Sequence, residues 1–361
     1  MTREVLAAAR VLTAGAATWV AIEDGLISEV GTGRAPTDAT DLGDALLAPG
    51  FVDVQINGIG SVDFSRTDRV GYATAERVLL AHGVTTFVPT LVSAPLESYG
   101  PALHNLMDAG AFGVHLEGPF LGGAPGAHDP SLLVSASLDW ISATLARFPG
   151  LLRVVTLAPE ADDAAEVTRA LHRAGVVVSL GHTTCTYEDA RTFADAGARA
   201  VTHLFNGMKP LHHREPGLVG AALDDDRLTP SLIADLVHVH PAALRLAISR
   251  KRNVVLVSDA IAIDAPWAAS RGVREIDGAP RLPDGTLAGS VLTLDRAVQN
   301  CVRIGVDVDR AVEMASTIPS ELLGLDDRGT IAAGSRADLV ALDPDDHSVR
   351  AVWKSGTLVH P

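Results

Sequence analysis

The chain has 361 residues, 47% hydrophobic and 20% charged, a composition that excludes wholesale disorder at a length suited to two domains or one barrel with an appendage. With 29 basic and 44 acidic residues the net charge is −15, which excludes a sequence-independent nucleic-acid binder, because such proteins need cationic surface to displace counterions. There is no run of about 18 uncharged apolar residues, so no membrane span is expected.

The opening residues are apolar, but Glu4 and Arg10 interrupt them, and Trp19 to Gly25 reads as a strand and turn rather than a signal peptide. Up to about residue 48 the chain holds short alternating strands broken at Asp24-Gly25 and Gly31-Thr32-Gly33. From there, short apolar runs recur and each stops at or near a polar residue. Phe51 to Gln55 leads to Asn57, Val84 to Val88 to Thr90, Phe112 to Leu116 to Glu117, and Val154 to Leu157 to Glu160. Val176 to Leu180 leads to His182, Ala198 to Thr202 to His203, Leu232 to Ala234 to Asp235 and His238, and Val254 to Val257 to Asp259. Such runs suit strands buried on both faces, as in a parallel sheet.

Between them, Glu76–His82, Leu103–Ala109, Glu166–Ala174 and Asp189–Ala196 have helical periodicity and stop at Gly83, Gly110, Gly175 and Gly197. Glycine there supplies the left-handed residue that ends a helix. Eight alternations of strand and crossover predict an α/β fold, a TIM-like (β/α)8 barrel, in which polar residues at the carboxyl ends of strands line the active site. After Asp259, a Gly/Pro-rich stretch with Pro283-Asp284-Gly285 predicts a hairpin excursion over the mouth. The tail, Gly329 to Leu339 and Val352 to Val359, reads as β again. The expected organisation is therefore a barrel over 49–324 and a small β-sandwich domain built from both ends, 1–48 and 325–361. Cys185 and Cys301 cannot make a disulfide framework, which suits a reducing, cytoplasmic compartment.

One carboxylate and two imidazoles at three strand ends, Glu117, His182 and His203, make a ligand set for a divalent metal, three protein ligands plus water being the open geometry of a catalytic Zn²⁺ site. The same donors also accept Fe²⁺. Taken singly, each has a plainer explanation: a histidine beside an apolar run is more often structural, and Glu117 could simply close a strand. Asp259 could exchange a proton between water and a leaving amine, or could cap the segment that follows it. A thiol nucleophile pairing Cys185 with His182 is disfavoured, because an activated water makes it unnecessary.

Taken in order, the motifs carry a resemblance. Pro49 to Gly58, His115-Leu116-Glu117-Gly118-Pro119-Phe120, Gly126-Ala127-His128, Ser179 to His182 and His203-Leu204-Phe205-Asn206 are similar to stretches of the N-acetylglucosamine-6-phosphate deacetylases of the amidohydrolase superfamily. So are His213 to Gly217, Ile233-Ala234-Asp235 with His238, Val257 to Ala260 and Gly285 to Ser290. The resemblance implies removal of the N-acetyl group from an amino-sugar 6-phosphate, with one divalent metal on Glu117, His182 and His203. It implies that Asp259 is the acid/base and that His128 polarises the acetyl carbonyl. Asn206, the Gly207 backbone, His238, Gln55 and Asn57 would meet the substrate. Arg214 would meet the phosphate from the neighbouring subunit of a homodimer.

Some positions depart from the pattern. Gln55 and Asn57 stand where many amidohydrolases place two histidines for a second metal, and amides are poor ligands, so one ion is expected. The three lysines, Lys209, Lys251 and Lys354, end no predicted strand, which argues against a lysine-bridged metal pair. The loop Leu121 to Ala127 lacks the lysine common in the family. Two other readings remain open: an amidohydrolase acting on another N-acyl amino sugar, phosphorylated or not, and a metal-free binding protein on the same scaffold.

Overall fold

The computed structural model describes residues 3–361. Its central feature is an eight-stranded parallel sheet whose strands neighbour one another in chain order: Phe51–Ile56, Val84–Val92, Val114–Glu117, Leu152–Leu157, Val177–Leu180, Ala198–Val201, Thr229–Ile233 and Val255–Val257. These are the eight apolar runs of the sequence. The sheet nearly closes, because the Asp259 and Asn57 amides donate across the remaining seam to the Gln55 and Ala260 carbonyls at 2.9 and 2.8 Å. All six residues of the first strand are buried, as a strand covered on both faces requires. A band of hydroxyls crosses the interior, with Thr202 Oγ1 lying 2.7 Å from Thr156 Oγ1 and 2.6 Å from Ser179 Oγ.

Helices follow the strands as expected: α1 (Arg69–Ala81), α2 (Leu96–Asp108), α3 (Leu138–Arg147), α4 (Ala164–Arg173), α5 (Tyr187–Ala196), α6 (Gly217–Asp224) and α7 (Pro241–Arg250). α5 begins with a reciprocal cap between Thr186 and Asp189 and ends at Gly197, whose φ is +117°. α1 and α2 each start seven residues before the expected point. In α1 the cue is Asp68, whose carboxylate accepts from the Gly71 amide at 2.9 Å.

The excursion after the eighth strand differs from expectation in detail. A short helix, α8 (Pro266–Ser270), precedes a hairpin of Arg274–Ile276 with Ala279–Arg281. That hairpin turns at Asp277 and Gly278, both at positive φ, which is the strongest short hairpin signal in the segment. Pro283-Asp284-Gly285 forms a second turn, closed by Leu282 donating to the Thr286 carbonyl at 2.9 Å.

The two chain ends build a four-stranded and a five-stranded sheet, the second joining Leu46–Pro49 to Leu339–Leu342. Leu6, Val20, Ile22, Leu47, Leu339 and Trp353 share one apolar cluster between them. Two compact units are distinguished: one takes in the chain up to Asp53 with Glu76–Thr86 and Thr293–Pro361, the other Val54–Ala75 with Phe87–Leu292. No helix among the described residues is long and apolar enough to cross a membrane.

Candidate active site

The chemistry-bearing side chains stand where strands of the second unit end. Glu117 is the last residue of the third strand, and His182, His203 and Asp259 each lie two residues beyond the fifth, sixth and eighth. All three of the latter take left-handed backbone angles, with φ of 50°, 30° and 49°. Such angles cost roughly 1–2 kcal/mol in an L-residue and persist only where neighbours enforce them. The neighbours here are backbone bonds: the His203 amide donates to Ser231 Oγ at 2.7 Å and that of Thr202 to the Leu180 carbonyl at 2.9 Å. The turn aims each side chain inward over the barrel.

Glu117 Oε1 lies 3.1 Å from His182 Nε2 and 3.0 Å from His203 Nε2, and the two Nε2 atoms are 3.1 Å apart. The other ring nitrogen of His182 lies 3.2 Å from the Ala124 carbonyl oxygen, which can only accept, so Nδ1 carries the proton and Nε2 presents a lone pair. Two imidazole nitrogens and a carboxylate oxygen thus converge on one point while fully buried, an arrangement of mutually repelling lone pairs unless a cation sits among them. His203 Nδ1 is buried without a partner. The donor set therefore fits a divalent cation of the Zn²⁺ type. Burial alone would raise the Glu117 carboxyl, but the two imidazoles in close contact with it outweigh that and hold it well below the usual carboxylate range. Burial would lower His203, and the close contact with Glu117 and its charge raise it instead.

Asp259 faces this cluster. Its Oδ1 accepts from Asn57 Nδ2 at 2.9 Å and from Gln55 Nε2 at 3.2 Å, and Gln55 also donates to Glu117 Oε1 at 3.0 Å. Burial, and then the Glu117 charge, push the Asp259 carboxyl up to about 6, where a group both accepts and returns protons near neutral pH. His128 packs edge-on against His182, with ring centroids 4.4 Å apart. Its Nδ1 lies 2.9 Å from Ser93 Oγ and accepts from the Ser93 amide at 3.4 Å, which leaves Nε2–H as a donor. Burial, then the His182 imidazole, push it down to about 3, so it is neutral at physiological pH.

These groups open onto a cavity of about 690 Å³, room for a sugar phosphate. Asn57, Glu117, His128, His182, His203 and Asp259 line it, and so do Asn206, Gly207 and His238 from the loops beyond the sixth and seventh strands. Gly207 has φ +58°, and a Cβ there would come within 2.8 Å of His182 Nδ1, so only glycine lets the loop close on that ligand. His238 is fixed by Asp235, whose Oδ2 is 2.6 Å from Nδ1. Gln55 is buried beneath the lining rather than in it. Arg214 is outside the cavity of its own chain, exposed, with Nη1 2.7 Å from His213 Nε2.

Four contributors carried no assigned role in the sequence. Ser93 orients His128, and Asp235 orients His238. Glu160 accepts from the amides of Gly123 and Thr184 at 3.0 and 2.7 Å and from the Thr183 hydroxyl, pinning the loop beyond the third strand beside His182. Arg271, at the end of α8, lines the cavity. Asp235, three residues before His238, and Glu160, at the end of the Val154 to Leu157 run, had a local signal.

The amidohydrolase family model matches residues 46–359. An N-acetylglucosamine-6-phosphate deacetylase from Bos taurus is 42% identical over 354 residues, covering 90% of this chain and 86% of the relative. An N-acetylgalactosamine-6-phosphate deacetylase from Escherichia coli is 37% identical over 359 residues, covering 93% of each. Among solved structures, a point variant of the Mycobacterium smegmatis N-acetyl-D-glucosamine-6-phosphate deacetylase, in complex with N-acetyl-D-glucosamine-6-phosphate, superposes with a TM-score of 0.91 at 35% identity over 100% of both chains.

Proposed function

The chain belongs to the amidohydrolase family, and we propose that it hydrolyses the N-acetyl group of N-acetylglucosamine 6-phosphate to glucosamine 6-phosphate and acetate. The observation that carries this is the convergence of Glu117, His182 and His203 beside Asp259 and His128 on one cavity, in a chain that covers its deacetylase relatives nearly end to end. The relative acting on the galactosamine isomer keeps a second reading in view, the same reaction on another N-acyl amino sugar.

An amide resists water because its carbonyl is weakly electrophilic and its amine leaves poorly. A divalent cation on Glu117, His182 and His203, Zn²⁺ ahead of Fe²⁺, would lower the pKa of bound water towards about 7 and polarise the carbonyl. Asp259 takes the proton from the attacking water, held for that task by the Asn57 and Gln55 amides. His128, neutral and with Nε2–H free, donates to the oxygen on which charge develops. Asp259 then passes its proton to the sugar nitrogen as the C–N bond breaks, so the amine leaves neutral, and the acetic acid formed with it gives up its proton to become acetate. Asn206, the Gly207 backbone and His238 hold the sugar.

Arg214 is read as reaching the phosphate of a partner subunit in a homodimer, in keeping with its exposure and its place outside its own cavity. The barrel over 49–324 carries the chemistry, and the β-domain of 1–48 and 325–361 closes the chain. Two buried free cysteines suit a reducing, cytoplasmic setting. Acetate release from N-acetylglucosamine 6-phosphate by metal-loaded protein tests the activity; release no greater than from metal-stripped protein counts against it.

A further inference from the structure

A phosphomonoester brings a charge of roughly −1.5 to −2 into a cavity whose floor already holds Glu117 and Asp259, in a chain of net charge −15. Local cations must offset that field. In an amino-sugar 6-phosphate the acetamide and the phosphate stand on opposite sides of the ring. With the acetamide at the Glu117–His128 end, the phosphate therefore reaches towards the rim. Arginines 66, 271 and 281 of this chain line the cavity, and none forms a salt bridge among the described residues.

They differ in how they are held. Arg281 donates to the Gly285 carbonyl at 2.9 Å within its own hairpin, and the Arg66 side chain is exposed without a fixed contact. Arg271 donates through Nη2 to the Ala127 carbonyl at 3.2 Å, next to His128. The guanidinium is thereby fixed at one corner, with its remaining N–H groups unspent. The nearest loop, Leu121 to Ala127, contains no cation of its own. Of the rim carboxylates, Asp63 accepts from the Ser65 amide and hydroxyl at 2.9 and 2.8 Å, and Asp129 accepts from those of Ser131 at 2.9 and 2.8 Å and also feels the Arg271 charge without forming an ion pair with it. A pre-positioned planar fork loses little freedom on binding two phosphate oxygens.

Resting on the deacetylase activity proposed above, we propose that Arg271 is a specificity-determining residue that binds the substrate phosphate from within the same chain and sets the preference for phosphorylated over unphosphorylated amino sugars. The test compares wild type, Arg271→Ala and Arg271→Lys, with Arg274→Ala as a control on the same excursion but outside the cavity. The kcat/KM for N-acetylglucosamine 6-phosphate falls about ten- to a hundredfold in Arg271→Ala, the range for a charge-assisted hydrogen bond, mainly through KM. The kcat/KM for N-acetylglucosamine stays within about twofold, and Arg271→Lys recovers part of the loss. Equal losses on both substrates would make Arg271 only a latch on the Ala127 loop and would overturn the proposal, as would no loss on either. Calorimetric binding of glucosamine 6-phosphate against glucosamine reads the same contact without turnover. An inactive wild type that still binds the phosphorylated sugar through Arg271 would remove the activity and keep the contact, whereas binding indifferent to Arg271→Ala would remove the contact.

Discussion

His182 Nε2 and His203 Nε2 face each other at 3.1 Å, both on the same oxygen of Glu117. A cation held there binds the folded chain and not the unfolded one, so it stabilises by mass action, about 2.7 kcal/mol at a free concentration a hundredfold above Kd. Metal-stripped protein melts several degrees lower and recovers when Zn²⁺ is restored. Glu117→Gln with His203→Ala abolishes the shift. Calorimetric Tm with and without Zn²⁺ checks this; an equal shift in the double variant would place the ion elsewhere.

Asp259→Asn keeps the metal and lowers kcat by about 10²–10⁴, the usual contribution of a positioned general base. The sign of the pH effect follows from the role. The carboxylate accepts the proton, so activity is present above its pKa and falls as pH drops through it. Burial and the Glu117 charge set that value at about 6, and a cation on Glu117 removes part of the upward push. The acid limb of kcat/KM therefore lies at or below about 6 and is missing from the residual rate of the Asn variant.

His128 serves through its neutral form. Pushed down to about 3, it adds no ionisation between pH 5 and 9 (roughly the working range). His128→Ala lowers kcat by about 10²–10³ with metal content unchanged, the cost of one lost oxyanion donor. Ser93→Ala costs less, because it frees the ring without removing it. Metal analysis beside steady-state kinetics separates this from damage to His182.

A stability effect is expected away from the site. His82 Nδ1 lies 3.1 Å from Asp295 Oδ2. The hydrogen bond that His82 donates to Asp295 raises His82 despite its burial, and the same contact lowers Asp295 against its own burial. The raised histidine stabilises below its ordinary value of 6.5 and loses that contribution as pH rises through its folded value. The lowered aspartate stabilises above its ordinary 3.8 and loses that contribution as pH falls through its folded value. The Tm difference between wild type and His82→Gln is therefore largest at about pH 5–6 and shrinks towards about pH 9.

The eight barrel strands were legible because strands covered on both faces must be continuously apolar, and each run in the sequence coincides with one of them. Glu117, His182, His203 and Asp259 were legible for a related reason: a barrel collects whatever polar residue ends such a run. Helix starts were less legible, since the first turns of α1 and α2 carry little apolar periodicity; α1 begins on the Asp68 cap and α2 after Pro95 with no side-chain cap. Glu160 ended a run too but carried no role, and Ser93 and Arg271 were invisible as site members, because their partners lie 35 and 144 residues away and no local pattern encodes such meetings. Gln55 and Asn57 are two residues apart and point to the same side, where both reach Asp259, and Gln55 sits one step deeper, beneath the lining that Asn57 joins.

The most direct test of the central claim is anomalous scattering from crystals of the Zn²⁺-loaded protein. One strong peak is predicted, about 2.0–2.2 Å from a Glu117 oxygen and from Nε2 of both His182 and His203. A peak outside that triad, or none at full loading, would contradict it.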